Sequence, residues 1–149
     1  MHSRDGLPHA AAPRADRATR ASVLVADDDP EVRASIATAL RREGFAVSEA
    51  RDGLELFEIA TAMAREDGAP PDMIVADLRM PRASGLEALA DMGPLVRETT
   101  ILIITAYCDD RTRAEAARLG AIGVMSKPFD LDALHAIARD VIVRRERCS

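Results

Sequence analysis

Val23-Leu24-Val25-Ala26-Asp27-Asp28-Asp29-Pro30 passes in eight residues from an unbroken apolar run to three acids and then to a proline. A short apolar run without alternation fits a strand covered on both faces. Asp29-Pro30 has the form of a helix start, an N-cap followed by proline at the first helical position. The stretch therefore reads as a strand that ends in carboxylates and turns directly into a helix.

The same design recurs along the chain. Phe45-Ala46-Val47, Met73-Ile74-Val75-Ala76, Ile101-Leu102-Ile103-Ile104 and Ala121-Ile122-Gly123-Val124-Met125 are the other apolar runs, most of them β-branched. Between them lie helical stretches with their own punctuation. Gly44 ends the first, and Asp52 with Glu55 and Ser84 with Glu87 have capping-box spacing. Asp109 or Asp110 starts a fourth helix, closed by Gly120. Asp130 starts a fifth, with Leu131, Leu134, Ile137, Ala138, Val141 and Ile142 on one stripe. Strict alternation of five strands and five helices predicts a doubly wound α/β domain with a parallel sheet and right-handed crossovers.

The domain is expected over residues 22–145. Residues 1–21, rich in Ala, Arg and Pro, read as a disordered arm, and 146–149 as a short tail. The connection Arg65-Glu66-Asp67-Gly68-Ala69-Pro70-Pro71 reads as a tolerated surface loop. With 149 residues there is room for one domain. The formal net charge is −5. The arm carries four Arg against two Asp, so the remaining residues are more acidic than the total. An acidic body argues against binding nucleic-acid phosphates. No apolar stretch reaches membrane-spanning length and the N-terminus lacks the apolar core of a secretory signal. Two cysteines are too few for a disulfide framework, which with the missing signal points to a cytoplasmic location.

In open α/β sheets ligands bind beyond the carboxyl ends of the strands. Asp27, Asp28 and Asp29 follow the first run, Asp77 the third, Thr105 the fourth, and Ser126 and Lys127 the fifth. Asp29 is assigned to the helix cap. Lys127 is the one lysine among 20 basic residues, a compact ammonium in a chain otherwise served by arginine. Clustered carboxylates repel one another, and a divalent cation with oxygen ligands relieves this. Magnesium on Asp28 and Asp77, with Asp27 beside it or acting through water, is the expected occupant. A carboxylate can also attack a phosphoryl group to give an acyl phosphate. Metal on one side, Lys127 on the other and a hydrogen bond from Thr105 would neutralise the phosphoryl oxygens.

These four pieces, the run 23–30, Asp77-Leu78-Arg79-Met80-Pro81 with Gly85, Thr105-Ala106, and Lys127-Pro128-Phe129, resemble the receiver domains of bacterial two-component response regulators. The resemblance covers residues 22 to about 145. It implies a flavodoxin-like fold with strand order 2-1-3-4-5 and a stand-alone phospho-receiver, since no output domain is in view. It implies phosphorylation by a sensor histidine kinase or histidine phosphotransferase, and a downstream protein target or a homodimer as the reader of the signal. It maps the acidic pair to Asp27 and Asp28, the phospho-acceptor to Asp77, the switch hydroxyl to Thr105 and the phosphate-contacting lysine to Lys127. Magnesium would take the backbone carbonyl of Arg79 as its third protein ligand, and Pro128 would follow Lys127 through a cis bond.

The sequence departs from the family at Val124, where an aromatic switch residue often stands; Tyr107 is a candidate substitute. Arg79 and Tyr107 occupy the two flanking positions that set phosphoryl lifetime in the family. Neither is an acid or amide that would orient water, so slow self-dephosphorylation is expected. A competing reading takes Asp27-x-Asp29 as the nucleophile and acid of a haloacid-dehalogenase-like phosphatase, but Glu31 stands where that pattern expects Thr or Val. A degenerate receiver acting only as an interaction module, and a piece of a larger transcription regulator, complete the alternatives.

Overall fold

The structure is a computed structural model that describes residues 11–80 and 82–148. The first ten residues of the expected arm, with His2 and His9, lie outside the described residues, as do Pro81 of the motif and Ser149 of the expected tail. The strands are β1 (Ser22–Ala26), β2 (Ala46–Ala50), β3 (Met73–Asp77), β4 (Thr100–Thr105) and β5 (Ala121–Ser126). They form one sheet in the order β2-β1-β3-β4-β5, every neighbouring pair parallel. The helices are α1 (Arg14–Thr19), α2 (Pro30–Arg42), α3 (Gly53–Glu66), α4 (Gly85–Met92), α5 (Asp110–Arg118) and α6 (Leu131–Cys148), with a 3₁₀ turn at Gly93–Val96. This is the flavodoxin-like fold expected.

Each apolar run serves both faces of the sheet at once. Val23, Val25, Val75, Leu102 and Ile104 pack with α2 and α6 through Ile36, Leu40, Leu134 and Val141. Their neighbours Leu24, Ala26, Ile74, Ile101 and Ile103 point the other way, onto Leu56 of α3, Leu89 and Met92 of α4 and Ala116 of α5. Successive strand residues face opposite sides. Two apolar faces therefore require an uninterrupted apolar run.

The caps follow the sequence reading. Asp29 accepts from the Glu31 and Val32 amides with Pro30 at the first position. Asp52 accepts from Glu55 N, and Ser84 and Glu87 form a reciprocal capping box. Asp109 rather than Asp110 caps α5, accepting from Thr112 N at 2.8 Å.

Three boundaries differ from expectation. Six α-helices are present among the described residues where five were expected, because residues 14–19, placed in a disordered arm, form α1. Polar anchors hold this segment. Ala12 N donates to Ser48 Oγ at 2.8 Å, Arg14 pairs with Asp67 at 3.0 Å, Arg17 pairs with the same carboxylate, and Arg145 donates to Ala18 O at 3.2 Å. The helix buries none of its own residues, so no apolar stripe advertises it. The loop 65–71, read as merely tolerated, supplies Asp67 as that anchor. The last helix runs to Cys148, taking in most of the expected tail, and Arg145 in its final turns pairs with Asp72 at 3.1 Å.

Candidate functional site

β1 and β3 are adjacent and end level, Ala26 opposite Ala76, so Asp27 and Asp77 emerge side by side. Asp27, Asp28 and Asp77 each offer an oxygen within 4.8 Å of the others. β5 brings Lys127 to the same edge. Its Nζ donates to Asp27 Oδ2 at 2.9 Å and to Asp77 Oδ2 at 2.8 Å. Asp27 and Asp77 are buried and Asp28 is exposed.

Backbone amides fix the second oxygen of each buried carboxylate. Asp29 N donates to Asp27 Oδ1 at 2.9 Å and Arg79 N to Asp77 Oδ1 at 3.1 Å. Burial raises the pKa of Asp27 above its ordinary value; the Asp29 amide and the Lys127 ammonium oppose this, and the charge of Asp77 adds to it. Burial would depress Lys127, but its hydrogen bonds to Asp77 and Asp27 outweigh burial and raise it. The lysine is therefore an ammonium throughout the physiological range.

Three carboxylates around one ammonium leave a formal charge of −2. The oxygens are hard donors, few in number, with one acid open to solvent. Such a donor set suits a small divalent cation that keeps part of its water shell, and magnesium fits that description.

Thr105 ends β4 fully buried. Its Oγ1 accepts from Tyr107 N at 3.1 Å, which leaves the hydroxyl proton to donate. Its carbonyl accepts from Lys127 N at 2.8 Å, tying the ends of β4 and β5 together. The Lys127-Pro128 bond is cis. Tyr107 is 60% exposed and lies against the Arg79 guanidinium, 4.2 Å from ring centroid to Cζ, a cation–π stack between the residues that flank the acceptor and the hydroxyl.

The structure thus gathers every residue singled out in the sequence, Asp27, Asp28, Asp77, Arg79, Thr105 and Lys127, at one sheet edge. Asp29 is engaged as the α2 cap, so it is not a free acid for the phosphatase reading. Sequence reasoning missed Arg33. It is buried, donates from Nη1 to the Asp27 carbonyl at 2.7 Å and pairs with Glu49 at 3.3 Å, pinning the turn that presents the acids. The signal was available: 33, 36, 37 and 40 are the buried positions of α2, an i, i+3, i+4, i+7 stripe that places an arginine on the inward face. Gly85 has a steric role that the motif alone does not explain, because a Cβ there would come within 2.5 Å of the Asp77 carbonyl.

The family model of the response regulator receiver domain matches residues 23–139. Regulatory protein AtoC of Escherichia coli is 35% identical over 117 residues, covering 78% of this chain and 24% of AtoC. Sporulation initiation phosphotransferase F of Bacillus subtilis is 29% identical over 112 residues, 75% of this chain and 86% of that one. Among solved structures, a response regulator protein from Burkholderia pseudomallei with a phosphorylated aspartic acid, calcium ion and citrate superposes with a TM-score of 0.68 at 27% identity. The match covers 83% of this chain and 72% of that one. No helix among the described residues is long and apolar enough to cross a membrane. Five parallel strands in the order 2-1-3-4-5, an acidic cluster facing a lysine at their carboxyl ends, and a match over most of the sequence lead to one assignment: the chain belongs to the response regulator receiver domain family.

Proposed function

We propose that this chain accepts a phosphoryl group on Asp77 in a magnesium-dependent reaction and signals through a change of surface to a protein partner. The observation that carries the reading is Lys127 Nζ bridging Asp27 and Asp77 at 2.9 and 2.8 Å with Asp28 beside them. Asp27, Asp28, Asp77 and the Arg79 carbonyl are the metal ligands. Bound magnesium supplies positive charge against the phosphoryl oxygens.

Asp77 is the nucleophile. The donor is a phosphohistidine of a sensor histidine kinase or histidine phosphotransferase, or a small acyl phosphate. An Asp77 oxygen forms the new bond to phosphorus as the bond to the donor's imidazole nitrogen, or to its carboxylate oxygen, breaks. The departing group keeps the electron pair, and a departing imidazole takes its proton from solvent. Lys127 follows a phosphoryl oxygen and the Thr105 hydroxyl donates to another. The product adds roughly −1.5 to −2 of charge, which draws on the ends of β4 and β5. The face built from α5, β5 and α6 then shifts between two populations. Tyr107, Ile122 and Leu131 are exposed there and offer apolar contact to a downstream protein or a second copy of the chain. The reading includes a cytoplasmic location and, because the body of the chain is acidic, no direct contact with nucleic acid.

Arg79 and Tyr107, stacked on each other at 4.2 Å, present no acid or amide that would orient an attacking water. Self-dephosphorylation is therefore slow, and a half-life of seconds would contradict this.

Incubation with acetyl phosphate and magnesium, read by intact mass, is expected to add one phosphoryl group to the wild type and none to Asp77→Asn or to the wild type in EDTA. An equal adduct on Asp77→Asn would remove Asp77 from its role. No adduct and no magnesium binding in the wild type would reduce the chain to a passive interaction module.

A further inference from the structure

Arg82 lies between β3 and α4 with φ 69°, the one non-glycine residue at positive φ among the described residues. Glycine adopts this angle freely and a residue with a Cβ does not, so something must hold Arg82 there. Its side chain is half-exposed, which limits what packing can do. Its guanidinium instead reaches Asp52, with Nε and Nη2 each 2.7 Å from Oδ2. Asp52 is buried and already committed at the start of α3, its other oxygen accepting from Glu55 N at 2.8 Å.

The neighbouring backbone contacts are close. A Cβ on Gly53 would meet the Ala83 carbonyl at 2.0 Å, and one on Gly85 would meet the Asp77 carbonyl at 2.5 Å. Ala83 is thus seated against the start of α3, and Gly85 against the end of β3. Arg79 precedes both in the chain, its amide on Asp77 Oδ1 at 3.1 Å.

We infer that Arg82 is a positioning residue: its ion pair with Asp52 latches the connection after β3 onto the start of α3 and so fixes the Arg79 carbonyl for the metal. The inference rests on the receiver reading above. It couples cation affinity to a residue pair that makes no contact with the cation. Residues that orient metal ligands from behind typically carry a ten- to hundredfold share of affinity.

The test is a magnesium titration of the full chain by calorimetry, paired with urea denaturation in EDTA. Arg82→Gly leaves the backbone angle unstrained and removes only the latch. It is expected to weaken magnesium binding about tenfold. Arg82→Lys, which keeps a cation that can reach Asp52, is expected to recover most of the loss. Adding Asp52→Asn to Arg82→Gly should weaken affinity little further, since both act through one contact. Unchanged magnesium affinity in Arg82→Gly beside a lowered urea midpoint would overturn the inference, reducing the pair to a helix-cap brace. If the wild type itself binds no magnesium, the receiver reading falls and the latch with it. Should Arg82→Gly fail to fold, Asp52→Asn, which keeps a capping oxygen and loses the charge of the pair, carries the same comparison beside Arg82→Lys.

Discussion

Strands β1, β3 and β4 are buried from end to end, whereas β5 has no fully buried residue and leaves Ile122 53% exposed. The helices over them differ in the same sense. α2 buries Ile36, Ala37 and Leu40, while α5 buries Ala116 and no other residue. Asp27, Asp77 and Thr105 stand on the closely packed strands. Lys127 reaches into the same cluster from the loosely packed one. A phosphoryl group on Asp77 would thus sit on a floor that cannot yield and pull on an edge that can. Packed interiors resist small displacements, and regions with few apolar contacts open at lower cost. The contrast gives the proposed switch its direction, from the centre of the sheet to the β5 edge.

The sharpest way to break this contrast is to truncate matched residues on both sides of it. Ile74→Ala, in the fully buried β3, is expected to cost about 4 kcal/mol, and Ile122→Ala in β5 under about 1 kcal/mol, both by urea denaturation. Similar losses would mean that the burial difference has no energetic counterpart.

Next in size is Gly85→Ala. The added Cβ must displace the Asp77 carbonyl, so a loss of about 2 kcal/mol is expected, as for other overpacked sites. The phosphorylation rate should fall with it. Normal phosphorylation in a fully folded variant would show that the acceptor end of β3 is less fixed than argued.

Asp52→Ala removes both a helix cap and the partner of Arg82, with an expected cost of about 1–2 kcal/mol at neutral pH. Burial would raise the Asp52 carboxyl, but the Glu55 amide and the Arg82 guanidinium outweigh it and hold the pKa below its ordinary value of 3.8. A folded pKa below the unfolded one gives stability that is complete above the unfolded value and lost as pH falls through the folded one. The gap between wild type and Asp52→Ala should therefore narrow on acidification below 3.8. A gap that persists there would assign the effect to packing.

The smallest effect is sought in hydrogen exchange. Amides of β5 and α5 should exchange faster than those of β1 and β3, and phosphorylation should change protection mainly in the former pair. A change centred on α2 instead would reverse the direction assigned to the switch.

Much of this was legible in the sequence because the central strands satisfy two faces at once. Unbroken runs such as Ile101–Ile104 need no partner to be recognised, and the polar residue closing each run marks the carboxyl edge. Asp27, Asp77, Thr105 and Lys127 were found in this way. What escaped depends on contacts between distant positions. α1 is held by Asp67 and Arg145, some fifty or more positions away, and has no apolar period of its own. The Arg82–Asp52 pair spans 30 positions, and neither residue departs from ordinary loop or cap composition. The weakness of β5 was hidden as well. Its run is as apolar as the others, and its exposure follows from standing at the sheet edge beneath an alanine-rich helix.

The most direct test of the central claim is chemical localisation of the phosphoryl group. Protein treated with acetyl phosphate and magnesium is reduced with borohydride, which converts an acyl phosphate of aspartate to homoserine, and then digested and sequenced by mass spectrometry. Homoserine at position 77, with Asp27 and Asp28 unmodified, is the predicted result. Homoserine at 27 or 28, or at no aspartate despite a phosphoryl adduct on the intact chain, would contradict the account.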